Sequence, residues 1–225
     1  MRLTNTTAAT GAGDYRNPLQ HIEAQNIAQS GWNYKSSSSY ITLSFWVRSS
    51  VSQEFFGFLR SRDGTEQAYS FSMGTLAADT WTKVTKNIPG NSNLTFDNDA
   101  NSGLVLNLSV FWGTNFTTSG KTNDAWAAYS GSDRVPDTAT TWAGTAGATF
   151  DITGVQLEVG AAATSFEHRS FHDELQRCQR YFETSYPVGT APGASQTHSP
   201  LALNAKANQF RDWQDFKVTK RAEPT

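Results

Sequence analysis

The chain has 225 residues, enough for one β-sandwich with an appendage or for two small domains. Charged residues make up 17% of it and the formal net charge is −2, which excludes the basic footprint that nucleic acid or an anionic membrane surface requires. Cys178 is the single cysteine, so an intrachain disulfide is excluded and the fold must rest on its core, as suits assembly in a reducing cytoplasm.

That core has 14 Phe, 7 Trp and 7 Tyr to draw on against only 2 Met, in a chain otherwise rich in Ser, Thr, Asn, Gly and Ala, which is a β-type composition. Met1-Arg2-Leu3-Thr4-Asn5 runs into Thr, Ala and Gly rather than an apolar segment, and later apolar stretches are interrupted by Ser, Thr and Asn. Neither a signal peptide nor a membrane span is expected. Asn-x-Ser/Thr sequons at Asn5, Asn93, Asn107 and Asn115 are the chance product of such a composition.

Residues 1–14 read as an N-terminal arm and 15–168 as a sandwich. Within the latter, Tyr40 to Arg48 alternates with period two, placing Ile41, Leu43, Phe45 and Val47 on one face and Thr42, Ser44 and Trp46 on the other. Shorter runs follow at Glu54 to Arg60, Gln67 to Met73, Trp81 to Ile88, Leu104 to Trp112 and Thr149 to Val159. Asp63-Gly64 suits a hairpin turn, and Pro89-Gly90 a reversal. In the fifth run Leu104, Leu106, Leu108 and Val110 share a face while Asn107 and Ser109 turn away, implying a sheet with one wet side. Short strands without crossover helices predict an antiparallel sandwich of jelly-roll type. Gly113 to Gly147 reads as a long, functional loop.

One amphipathic helix is predicted over Phe171 to Phe182, within a segment 169–184. Ser170 caps it, Asp173 completes a capping-box pattern, and Phe171, Leu175, Cys178 and Phe182 recur at spacings of four, three and four along one face. That stripe reads as an assembly face or as packing against the sandwich. Residues 185–225 read as a linker and the start of a β-rich segment near Phe210 to Val218.

Three blocks resemble a family of bacteriophage structural and tail-fibre-like proteins. They are Thr42-Leu43-Ser44-Phe45-Trp46-Val47-Arg48-Ser49, Phe150 to Gly160 with Ala163 to Ser170, and Glu174 to Phe182. Thr80 to Lys86 is also similar to a strand of carbohydrate-binding-module jelly rolls. The resemblance implies a virion protein, part of a tail fibre or surface appendage, with other virion proteins as partners and a homotrimer as the fibre-like assembly. It also allows a head fibre or capsid decoration protein, and a module that binds host surface polysaccharide.

Candidate chemistry is sparse. No nucleophile–base pair, carboxylate pair or phosphate-binding Gly loop has diagnostic spacing, so catalysis is not expected. His168 and His172 are four apart, but the cap at Ser170 separates them. Asp97, Asp99 and Asn101 present oxygens at alternate positions, as calcium requires, yet without the closing glutamate of an EF-hand they fit a solvated turn better. Trp126, Tyr129 and Trp142, with Asn123 and Asp124, are candidates for a sugar platform. The competing reading is that these rings pin the long loop down; Trp46, Trp81 and Trp112 lie in strand patterns and read as structural.

Overall fold

The computed structural model describes residues 1–183, 189–190 and 216–221. The chain divides into two compact units, Met1–Glu167 and His168–Thr225. The first is mainly β. Its strands are β1 (Arg2–Thr4), β2 (Tyr15–Arg16), β3 (Leu19–Glu23), β4 (Tyr40–Ser49), β5 (Gln53–Ser61), β6 (Gln67–Leu76), β7 (Thr82–Pro89), β8 (Ser102–Ser109), β9 (Phe111–Trp112), β10 (Trp126–Ala128) and β11 (Thr149–Val159), with short helices α1 (Ala24–Ala28) and α2 (Thr141–Gly144).

All sheet pairings are antiparallel: a four-stranded sheet in the order β1-β11-β4-β7, a five-stranded sheet β10-β6-β5-β8-β3, and a β2-β9 ribbon. The larger sheets face each other as a sandwich. Ile41, Leu43, Phe45 and Val47 of β4 enter one core with Phe55 and Leu59 of β5, Phe71 of β6 and the leucines of β8. Phe55 and Phe150, from opposite sheets, meet with ring centroids 4.8 Å apart. Burial of aromatic and aliphatic side chains on this scale is the dominant favourable term in the fold.

The six strands expected from period-two alternation are present to within two or three residues at each end, except that Ser109 closes β8 and Phe111-Trp112 pairs separately with β2. The expected N-terminal arm is instead part of the sandwich. Arg2–Thr4 forms an edge strand on β11, and Asn5 is buried, donating through Nδ2 to the carbonyls of Trp142, Ala143 and Thr145. A four-residue helix cannot satisfy its own terminal carbonyls, and this amide does so for α2.

The expected wet face of the five-stranded sheet is covered in part, while Leu19, His21 and Glu54 on the same side stay exposed. Phe56, Phe58, Asn107 and Ser109 point outward yet are buried, because Trp112 and Val135, with partly buried Phe116 and Tyr129, form a second apolar cluster on them. The hydroxyl of Ser109 accepts from Trp112 Nε1 at 2.9 Å, and Asn107 Oδ1 accepts from Asn17 Nδ2 at 3.1 Å. The polar alternation in β8 therefore marks hydrogen bonding under a covering layer rather than contact with water.

In β11 the ladder slips at Gly154-Val155, two residues that together oppose Phe45. Gly154 has φ +60, a conformation glycine supplies without strain. The extra residue keeps Ile152 and Leu157 facing inward although an odd number of positions separates them, and turns Gln156 and Glu158 outward.

In the second unit, α3 (Phe171–Gln179) is capped as expected: Ser170 Oγ accepts from the backbone N–H of Asp173 at 3.2 Å. The regular helix stops short of Phe182, with Arg180 as its C-cap, and Gln179 is its buried residue. Lys220 Nζ donates to the Gln179 carbonyl at 2.5 Å and to Glu183 at 2.7 Å. Most of the expected β segment from Phe210 onward lies outside the described residues, as does most of the linker; Phe216 to Arg221 contains no strand.

Gly57 faces the core directly against Phe71, and a Cβ there would lie 2.4 Å from the Phe71 ring and 3.0 Å from the Asn107 carbonyl oxygen. Gly57→Ala is expected to destabilise the sandwich by about 1–3 kcal/mol, the usual cost of overpacking. A urea-unfolding midpoint equal to that of wild type would contradict this packing.

Candidate functional site

The long loop closes over the sandwich and holds its aromatic residues there. Trp142, expected in a sugar platform, is only 1% exposed: its ring sits in the main core at one end of the sandwich, its Nε1 donates to the Thr149 carbonyl at 3.0 Å, and its backbone N–H donates to Gln53 at 2.8 Å. Trp126 packs on Tyr69 with centroids 5.4 Å apart, and its Nε1 donates to the Pro89 carbonyl at 2.7 Å. It thereby ties the edge of one sheet to the last residue of β7 in the other. Tyr129 lies beneath the Arg60 guanidinium, 3.5 Å from the ring centroid, while Arg60 also pairs with Glu66. Arg134 lies over both Trp112 and Phe116, and Tyr15 stacks on Trp112.

These rings serve three different places: the core, the sheet edge and the outer face of the five-stranded sheet. They do not converge on one platform, and packing that pins the loop is what the geometry supports. Asn123 and Asp124 stay near Trp126. Asn123 Oδ1 accepts from Ser70 Oγ at 2.7 Å, and Asp124, at φ 59, donates its N–H to the Ser70 carbonyl and pairs with Lys86 at 3.4 Å. Burial pushes the nearby Tyr69 phenol up to about 12, with Asp124 and Tyr40 adding to the shift.

At the other candidate, Asp99 turns its carboxylate to the N–H and the side-chain amide of Asn101, and its carbonyl to Gln25. Asp97 is exposed and donates its N–H to Asp63. Burial raises the Asp63 carboxyl, and the charges of Asp97 and Asp99 add to it. Among the described residues no group of three His, Cys, Asp or Glu side chains is arranged to hold a metal ion. The arrangement of Asp97, Asp99 and Asn101 is that of a hydrogen-bonded turn.

Of the assembly-helix residues, Phe171 is 74% and Phe182 71% exposed, Cys178 is exposed and Leu175 is half-buried. The four-three-four stripe is thus largely open to solvent. Among the described residues, no helix is long and apolar enough to cross a membrane.

What sequence reasoning missed is the outer face of the four-stranded sheet. Trp46 is 44% and Trp81 42% exposed there, although both read as structural from their strand patterns. Register places Trp46 opposite Lys83 on β7 and Thr153 on β11, and Trp81 lies beside Arg48. The Arg48 guanidinium sits 5.2 Å from the Trp81 ring centroid and is itself anchored on Asp151 at 2.8 Å, which also takes Arg2 at 2.7 Å. Hydrogen bonding from Arg2, with further help from Arg48, outweighs burial and holds the Asp151 carboxyl at about 2.

After β11 the chain doubles back along this face as a strap, residues 160–167. Thr164 donates its N–H and its hydroxyl to the Glu158 carboxylate, at 2.9 and 2.7 Å, and Glu167 donates its N–H to Gln156 at 2.8 Å. The Thr164 N–H lowers the Glu158 carboxyl, with Gln156 and the Thr164 hydroxyl assisting. The strap brings Phe166, 45% exposed, to the position of Gly154 on the side facing Trp46. A charge pattern opposite an outward Trp is the signal in the sequence, but it becomes legible only once the register of β4 against β7 is known.

The chain was compared with family models, with curated proteins and with solved structures, and none of these matches it.

Because the Asp151 carboxyl is lowered on folding, its ion pairs stabilise the protein above the ordinary carboxylate range, and that contribution disappears as pH falls through roughly 4 to 2. Asp151→Asn is therefore expected to melt below wild type at neutral pH, with the gap in Tm narrowing across that window. A gap that stays constant from pH 7 to pH 2 would mean the carboxylate charge carries none of the effect.

Proposed function

We propose that this chain is a non-catalytic structural module of a bacteriophage virion, part of a tail fibre or a similar surface appendage, with its sandwich wound as a jelly roll. The observation that carries this reading is how the resembling blocks lie together. Residues 42–49 fall on β4 and 150–160 on β11, and these strands are direct neighbours in one sheet. Gly154 of the second block lies in the bulge that sets its facing, and residues 163–167 belong to the strap held by Gln156 and Glu158. The third block lies on α3 and the turn after it. The pairing of the first two blocks in one sheet supports reading them as parts of one structural unit.

Virion modules work by standing firm and presenting contact surfaces. The loop that clamps the five-stranded sheet supplies stiffness, and the open stripe of Phe171, Cys178 and Phe182 supplies a surface for other virion proteins or for further copies of this chain. A homotrimer is the assembly implied by fibres.

Mass spectrometry of purified parent particles should detect the chain at a fixed ratio to the major capsid protein, and cryo-electron microscopy should locate the residue 1–167 sandwich in an appendage. Absence from washed particles would overturn the virion reading. For the trimer, light scattering on the isolated chain that returns a monomer mass at every concentration would count decisively against it.

A further inference from the structure

We infer that the open edge of β11, from Val155 to Val159, docks against the same edge of a second copy of this chain, joining the two four-stranded sheets antiparallel across a two-fold axis at Leu157.

The edge is open because β1 is short. The N-terminal strand covers β11 only as far as Ile152, whose N–H and C=O are taken by Met1. From the bulge onward, β4 is the one strand partner of β11 among the described residues. Register shows which groups are left over. Gly160 donates its N–H to the Tyr40 carbonyl, so by the alternation of an antiparallel ladder Glu158 and Gln156 also bond to β4. Val155, Leu157 and Val159 therefore direct both backbone groups away from β4, and no hydrogen bond among the described residues reaches them. A row of unpaired N–H and C=O groups is a template for another strand. The strap does not fill it, because Thr164 and Glu167 bond to the outward side chains of Glu158 and Gln156 instead.

The opposite edge of the same sheet is guarded. Gly90 donates its N–H to the Ser39 carbonyl, which by the same alternation turns the backbone of Lys83, Thr85, Asn87 and Pro89 to the open side of β7. Pro89 has no N–H to offer, and its carbonyl is held by Trp126. Lysine and proline are common blocks to edge pairing. At its open positions β11 carries neither: Val155 is 42% and Val159 49% exposed, and Leu157 is partly buried on the core.

The occupant follows from self-complementarity. With Leu157 opposite its own copy, Val155 of each chain stands opposite Val159 of the other, and every open N–H and C=O of these residues finds a partner. On one side of the joined sheet the valines and leucines form an apolar row that continues both cores. On the other side Gln156 faces Glu158, so an amide meets each carboxylate and no like charges are opposed. An axis at Glu158 would instead set two carboxylates against each other. Gly160, at φ 135, and Ala161, Ala162 and Ala163 come next, small residues where each chain passes the Met1 end of the other. A second copy meets these requirements by symmetry. The pairing uses residues of the first unit alone.

Cross-linking tests the register. Val155→Cys and Val159→Cys are each made in the full chain with Cys178→Ser, which removes the exposed native thiol. Hydrogen-bonded antiparallel partners have Cα atoms about 5.5 Å apart, within disulfide range. Mild oxidation of an equimolar mixture should join the two variants as a heterodimer. Either variant alone should give little product, since its own cysteines lie about 13 Å out of register. Val159→Pro tests the association, and it costs no bond to β4 because that N–H points to the open side. In analytical ultracentrifugation over a concentration series, the wild-type mass should rise to at least double that of Val159→Pro and fall again on dilution, as befits a small interface. Circular dichroism should report the same fold for both. Absence of the mixed cross-link overturns the proposal, as does an equal yield from either variant alone. A wild-type mass equal to that of folded Val159→Pro at every concentration overturns it too. If the proline variant does not fold, the cross-linking result decides. A negative result on the isolated chain leaves the virion reading standing, and the mass of Val159→Pro reports separately on a trimer formed through other surfaces.

Discussion

β11 lies between β1 and β4, and most of what is distinctive in the sandwich depends on that placement. One strand has to serve two partners on its edges and two environments on its faces. Inward it supplies Phe150 and Ile152 to the core; outward it supplies Asp151, which binds an arginine from each neighbouring strand. A carboxylate that is 7% exposed would be costly to bury alone, and two guanidiniums with directed hydrogen bonds make the site favourable. The same strand then bends at Gly154, and its bulge both keeps Leu157 on the core and sends Gln156 and Glu158 out to hold the returning chain.

The two outer faces of the sandwich are used in opposite ways. On the five-stranded sheet the long loop lies down and is sealed by cation–π and ring contacts from Arg60, Arg134, Trp112 and Tyr15, so its aromatics are spent on structure. Among the described residues of the first unit, a short strap crosses the four-stranded sheet, held by polar clasps at one side, and Trp46 of β4 and Trp81 just before β7 are partly exposed. The aromatic residues of the loop pack against the sandwich, whereas Trp46 and Trp81 on the sheet are partly exposed.

The sequence alone determined the fold class, the six main strands, the capped start of α3 and the inward set of β4, because period-two and period-3.6 alternation reports directly which side chains leave water. It could not determine the partners of short segments. Arg2–Thr4 and Trp126–Ala128 are too short to show a period, and each becomes a strand only because a longer one offers it an edge. Nor could it distinguish a polar residue facing water from one under a covering layer, as at Asn107 and Ser109, or a tryptophan that plugs the core from one that lies open, as at Trp142 and Trp46. Those differences are set by contacts between residues remote in the chain. Local pattern fixes which way a side chain points relative to its own strand, and only the assembled tertiary structure decides what stands opposite it.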